Sequence, residues 1–166
     1  MLISEQESDT KGEDIQQICT FRIAGYLYGV NIRYVKEINQ ELHISPVPHS
    51  PANVKGLVNI RGEVYLIFDL RNCFGFPPIM IDEHHRIILF KSDEMEFSGI
   101  LVDSLQDVIR VQSNLIETYN PEVQMEGLEM LRVKDAEIGQ NLVQGVFQFQ
   151  KEIMIILNPM TLLQFE

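Results

Sequence analysis

Nowhere in this chain do apolar residues hold a 3.6-residue spacing for three turns. Short β-branched and aromatic runs recur instead, punctuated by glycine or proline, and that pattern favours strands over βαβ units. Cys19, Phe21 and Ile23 alternate with Thr20, Arg22 and Ala24, and after Gly25 the alternation resumes at Tyr28, Val30 and Ile32, predicting a hairpin that begins near Ile18. In RYVKEI, Val35 and Ile38 are spaced for one helical turn at the strand end. Pro46, Pro48 and Pro51 then mark an extended linker or edge strand, because proline donates no ladder hydrogen bond. GLVNIRGEVYLIFDL reads as a hairpin turning at Arg61-Gly62-Glu63, with Gly62 supplying a positive φ. RNCF reads as a short helical cap. RIILF with EFSGILV, and VQGVFQF with EIMIILN, make two further hairpins, the last closed by a short helix through Met160, Leu162 and Leu163. Residues 112–138 are the least readable stretch.

An internal echo runs through this pattern. GLVNIRGEVYLIFDLRNCF from Gly56 aligns without a gap to GVFQFQKEIMIILNPMTLL from Gly145. Ile67 falls on Ile156, Glu63 on Glu152, and Asp69 on Asn158, where both side chains suit an N-cap. A weaker echo sets GVNIRYVKEI from Gly29 on GILVDSLQDV from Gly99, with Val35 on Leu105, Glu37 on Asp107 and Ile38 on Val108. The order is shared both times, which predicts a duplicated architecture of two small, partly open barrels with a groove between them.

Composition narrows the function. The 166 residues carry 24 acidic and 13 basic side chains, a formal charge of -11, and a field of that sign repels nucleic acid and anionic lipid. Part of the acidity lies in residues 1–16, expected to be a disordered tail ahead of one domain over residues 17–166. No run approaches the roughly 18 apolar residues of a membrane helix, and the N-terminus has no secretory pattern, so a cytoplasmic location is expected. Cys19 and Cys73 sit among apolar neighbours and read as small buried thiols.

Catalytic and metal signatures are missing at the level of sequence. His43 and His49 flank the proline linker, and His84 and His85 fall in an acidic loop expected to be solvated; neither set has metal-site spacing. Ser98 and Ser104 lack a nucleophile elbow. The expectation is a protein-interaction domain, not an enzyme, with no cofactor and no metal. Arg61, at a hairpin tip, is either a plain surface arginine or a planar fork reaching a carboxylate. Glu37 either faces solvent or accepts a bond from a partner or from Arg61. A small-ligand-binding β-barrel is the reading of a different class.

FRIAGYLYGVNIRYVKEI, the run ISPVPHSPANVKGLVNIRGEVYLIFDLRNCFG, the RIILF and GILVDSLQDVI pair and the closing EIMIILNPMTLL together resemble the bacterial chemotaxis coupling family, the CheW-like adaptors, over about residues 18–164. The resemblance implies an all-β fold of two intertwined five-stranded SH3-like barrels with short capping helices. It implies a non-enzymatic adaptor coupling chemoreceptors to a chemotaxis histidine kinase in signalling arrays, or a scaffold of another chemosensory pathway such as surface motility. The implied partners are the chemoreceptor cytoplasmic tip and the kinase regulatory domain, which has the same fold. Nucleic acid and direct membrane insertion are not implied. The implied site residues are Val35, Glu37, Ile38, Gly56, Arg61, Gly99, Leu105 and Val108, undivided between receptor and kinase, with Gly56 and Gly99 the ones most suited to backbone approach. Leu66 stands where the family usually has proline, and Glu63 where an aliphatic residue is more common.

Overall fold

The structure, a computed structural model, describes residues 14–91, 97–120, 122 and 141–165. Eleven strands are found there: β1 Ile15–Ile23, β2 Tyr26–Asn31, β3 Val35–Asn39, β4 Val54–Ile60, β5 Glu63–Phe68, β6 Arg86–Phe90, β7 Ser98–Val102, β8 Ser104–Gln112, β9 Glu117–Thr118, β10 Val143–Phe149 and β11 Glu152–Leu157. They form a six-stranded sheet in the order β8-β1-β2-β11-β10-β9 and a five-stranded sheet in the order β3-β6-β7-β5-β4. The chain enters the first sheet with β1 and β2, builds all of the second, and returns at β8. The six-stranded sheet is therefore assembled from both ends of the domain.

After their first residues, Arg86 and Ser98, RIILF and SGILV lack polar side chains and are buried, because both faces of the five-stranded sheet are covered. Ile88 and Phe90 enter a core shared with Phe21, Tyr28 and Leu162 from the other part of the chain, while Ile87 and Leu89 join Val58, Tyr65 and Ile67 in a core of the sheet's own. Ile18, Leu27, Ile109 and Met154 make the matching private core of the six-stranded sheet. Cys19 and Cys73 are buried free thiols, and burial pushes each up to about 11.

The echoed segments take equivalent places. Exchanging β8, β1, β2, β11 and β10 for β3, β6, β7, β5 and β4 reproduces the strand order of one sheet from the other. The parallel contact pairs Ile67 with Gly99 in one sheet and Ile156 with Gly29 in the other, the same positions in both echoes. Register shifts fall between Val54 and Gly56 and between Val143 and Gly145. Asp69 Oδ1 accepts from the Arg71 N–H at 3.1 Å, and Asn158 Oδ1 from the Met160 N–H at 3.2 Å. Even the outermost pairings correspond, Ser45 with Leu57 and Glu117 with Val146.

The expectation of two five-stranded SH3-like barrels is corrected by these sheets. Neither sheet closes: one has six strands, the other five, and their terminal strands share no backbone ladder among the described residues. The sheets are also mixed, since β2–β11 and β5–β7 run parallel. The proline-rich segment explains the open edge of the five-stranded sheet. Beyond the single Ser45–Leu57 bridge, chain interrupted by Pro46, Pro48 and Pro51 cannot supply the donors that a closing strand needs. The helical expectations change too. Val35 and Ile38 lie in β3, preceded by a 3-10 turn at Ile32–Tyr34, and the closing element Pro159–Phe165 is a 3-10 helix. RNCF lies in hydrogen-bonded turns, with Phe74 N–H donating to the Leu70 carbonyl at 3.1 Å. β1 begins at Ile15, ahead of the visible alternation, because Ile15 and Gln16 pair with Gln112 and Val111 of β8. Of the acidic tail expected over residues 1–16, residues 1–13 lie outside the described residues while Ile15 and Gln16 belong to β1, and most of the stretch 112–138 also lies outside the described residues. No helix among the described residues is long and apolar enough to cross a membrane.

Candidate functional site

Two positive φ values in succession, 52° at Arg61 and 86° at Gly62, give the β4–β5 turn the primed geometry that matches strand twist. Asn59 Oδ1 accepts the Gly62 N–H at 3.0 Å and holds the turn. The tip therefore projects Arg61 from a rigid base. Its side chain is 67% exposed, yet Nη2 donates to Glu37 Oε2 at 2.5 Å. Glu37 also accepts from Asn39 Nδ2 at 3.0 Å, and Asn39 Oδ1 in turn accepts the Glu41 N–H. The Arg61 guanidinium, with the Asn39 amide, holds the Glu37 carboxyl below its ordinary range.

Of the two readings of Arg61 and Glu37, the structure shows the mutual pair. It joins β3 to the β4–β5 hairpin, elements at opposite ends of the sheet order. A second contact crosses the same gap: Lys36 Nζ donates to the Tyr65 hydroxyl at 2.8 Å, and that hydroxyl donates to Glu63 Oε2 at 2.8 Å. The Tyr65 hydroxyl, and then the Lys36 ammonium, hold the Glu63 carboxyl below its ordinary range. Side chains thus span the mouth that the backbone leaves open.

Both carboxylates titrate lower in the folded chain than in the unfolded one. Their contribution is complete above the ordinary carboxylate pKa and is lost as pH falls through the folded values. Amide protection at Gly62 and Glu63, corrected for intrinsic exchange, is expected to hold from pH 7 to about pH 5 and then decline below about pH 4.3. Protection that stays level down to pH 3 would contradict the pairing.

The remaining predicted residues separate. Ile38 is 37% exposed beside this site, and Val35 is half-buried against the shared core. Gly56 and Gly99 are buried. A Cβ on Gly56 would press on the Ser45 carbonyl, and one on Gly99 would lie 2.6 Å from the Ile88 carbonyl oxygen. Leu105 and Val108 lie on β8 in the other sheet, half-buried opposite Phe21 and Cys19. They repeat the places of Val35 and Ile38, but the hairpin tip there carries Gln150, at φ 54°, where the first carries Arg61. The charge pair across that half is a bidentate one from Arg22 to Glu152, at 2.7 and 2.8 Å.

Several residues escaped the sequence reading. Tyr65 reads as an apolar strand position, and nothing in its spacing shows that its hydroxyl emerges between Lys36 and Glu63. His85, expected in a solvated loop, is buried beside Asp82, while His84 is exposed. Arg71 is buried and ion-paired with Asp103, at the point where the chain passes from one sheet to the other. A cleft of about 470 Å³ opens beside it, walled by Ile44, Pro46, Val54, Phe76 and Pro78. Met80, 91% exposed, lies in the segment that follows.

Two sheets on one shared core, with a braced, solvent-facing arginine tip and exposed apolar side chains nearby, define a protein-docking scaffold. The chain belongs to the family of CheW-like domains, whose model matches residues 17–166. It is 32% identical to a probable chemotaxis protein CheW of Rhizobium etli over 65% of this chain and 68% of that one. It is 30% identical to the chemotaxis protein CheW of Bacillus subtilis, over 66% and 69%. The aligned part spans about two thirds of these curated relatives. The crystal structure of the scaffolding protein TtCheW from Thermoanaerobacter tengcongensis superposes with a TM-score of 0.71 at 26% identity, covering 87% of this chain and 90% of that one. Members of the family are non-catalytic scaffolds, and this chain is a non-enzymatic adaptor coupling chemoreceptors to chemotaxis signalling.

Proposed function

We propose that the chain bridges the cytoplasmic tip of a chemoreceptor to the regulatory domain of a chemotaxis histidine kinase, as a component of membrane-associated arrays on the cytoplasmic side. Val35, Glu37, Ile38 and Arg61 form one docking surface, on the five-stranded sheet. Leu105 and Val108 belong to a second, on β8. Gly56 and Gly99 act by permitting close backbone approach beneath the first.

One observation carries this reading: an exposed arginine is held in a single orientation by a carboxylate from a distant strand. An exposed ion pair adds little stability, because solvent screens it and two side chains lose freedom in forming it. Its physical effect here is to fix the direction of a planar donor fork, and surface recognition depends on such orientation. A kinase domain of the same fold would present comparable strand edges to it.

Arg61→Glu tests the proposal. The introduced carboxylate faces Glu37 and Glu63, so the braced fork is replaced by like charges. The exposed tip lies outside the three cores, so the fold and its thermal midpoint should change little. The dissociation constant for the kinase regulatory domain or the receptor cytoplasmic hairpin should rise about tenfold or more. Unchanged constants for both partners would refute the placement of this site.

A further inference from the structure

β6 and β7 separate β3 from β5 in the sheet, so β3 shares no ladder of its own with the β4–β5 hairpin and is linked to it in backbone only through two intervening strands. Glu37–Arg61 is one side-chain clasp across that gap. Lys36, Tyr65 and Glu63 make another, and its construction differs. Lys36 Nζ lies 2.8 Å from the Tyr65 hydroxyl and 3.5 Å from Glu63 Oε2, and the hydroxyl donates to that same oxygen at 2.8 Å. The three polar groups close on one another around a hydroxyl whose ring cannot move freely. Tyr65 is 0% exposed in the private core of the five-stranded sheet. Phe97 packs edge-on against it, with centroids 5.6 Å apart, and the Lys36 ammonium lies 5.3 Å from the ring centre. Phe97 itself holds φ at 62°, unusual for a bulky side chain, while its carbonyl accepts the Leu66 N–H at 2.7 Å.

The consequence lies in entropy. Two long exposed side chains give up rotamer freedom to pair, which cancels most of their attraction. A hydroxyl on a buried ring loses no such freedom, because packing has already fixed it. We infer that Tyr65 is a positioning residue that holds β3 and the hairpin together through Lys36 and Glu63, and so sets the direction in which the Arg61 tip meets a partner. This rests on the proposed reading of the Arg61 hairpin as a docking surface. It adds a determinant outside the eight residues that the family resemblance supplies, and it includes Glu63, where this chain departs from the usual aliphatic residue.

Tyr65→Phe removes one oxygen and keeps the ring. The measurement is the dissociation constant for the partner that Arg61→Glu weakens, either the kinase regulatory domain or the receptor hairpin, together with amide exchange across the chain. The constant is expected to rise about fivefold, the worth of roughly one hydrogen bond, and to show no further rise in an Arg61→Ala background. Amides of Gly62 and Glu63 should exchange faster, while those of β6 and β7 keep their rates. Lys36→Gln, at a solvent-facing position, should reproduce both effects and guards against a folding failure of the first variant. Equal weakening in both backgrounds would mean general destabilisation and would overturn the inference, as would unchanged affinity and unchanged tip exchange. If neither Arg61→Glu nor Arg61→Ala weakens either partner, the docking reading fails by itself. Tip exchange then decides the clasp alone: faster exchange in Tyr65→Phe supports it, and unaltered exchange overturns it.

Discussion

Asp103→Ala is expected to destabilise the fold by about 3–5 kcal/mol, the range for a buried charge left without its partner. Asp103 stands between β7 and β8, where the chain leaves the five-stranded sheet for the six-stranded one. Its N–H donates to the Arg22 carbonyl at 2.9 Å, and its Oδ2 accepts both the Ala24 N–H, at 2.9 Å, and Arg71 Nη2. Arg71 comes from the turn after β5, so one carboxylate ties both sheets at their crossing. The Arg71 side chain is only 6% exposed, and its Nη1 already has no protein partner. Removing Asp103 strands the guanidinium and orphans the Ala24 amide. His85 Nε2, 3.4 Å from Asp103 Oδ1, is too far for a good hydrogen bond but is a close polar neighbour, and it too would lose its facing carboxylate. Urea unfolding measures the loss. Adding Arg71→Met to Asp103→Ala removes the stranded charge and should recover more than half of it. A loss below about 1 kcal/mol for Asp103→Ala alone would show that the charge is solvated and the junction is held by packing.

Gly56→Ala is expected to have an effect of similar size for a different reason. The new Cβ would collide with the Ser45 carbonyl at the Ser45–Leu57 bridge, and φ at this glycine is 151°, a region that other residues rarely enter. The Ser45 carbonyl is backbone and cannot swing aside as the end of a flexible side chain could. The cost should reach about 3 kcal/mol or more, from strain at an unusual backbone conformation plus the lost bridge. Gly145→Ala is the internal comparison. Its Cβ would come within 2.7 Å of the Glu117 carbonyl oxygen and of Ile116 Cγ2, without the unusual φ at Gly56, so the loss should be smaller. If Gly56→Ala proves too unstable to purify, the Gly145→Ala unfolding curve still tests the shared geometry. Gly56 variants that lose partner binding should lose thermal stability with it. A Gly56→Ala protein of wild-type stability that no longer binds would assign Gly56 to the contact surface.

These two predictions mark where sequence reading succeeds and where it stops. Hairpins were legible because alternation and glycine-bearing turns are local, and the positive φ expected at Gly62 is found there, whereas the positive φ at Arg61 left no mark in the sequence. The duplication was legible because Ile67 and Ile156, Gly99 and Gly29, Asp69 and Asn158 recur in the same order, each pair set by the same backbone requirement. Closure was misjudged. Whether a curved sheet joins its own edges depends on long-range geometry, and the proline run that blocks the joining also read as a plausible edge strand. The site was legible in part. Arg61 and Glu37 stood out by residue type at a turn and a strand end, but the partner of each was undetermined until β3 and the hairpin were placed in space. Tyr65, His85 and Arg71 share one difficulty: burial of a polar tip leaves no mark in a one-dimensional pattern.

The most direct measurement is sedimentation of the full chain with a receptor cytoplasmic hairpin and the kinase regulatory domain, singly and together. A three-component complex is expected, heavier than either pair, from which Arg61→Glu releases one partner while the folded chain keeps the other. A chain that sediments alone in both binary mixtures, or that binds the two partners only in competition, would contradict a bridging adaptor.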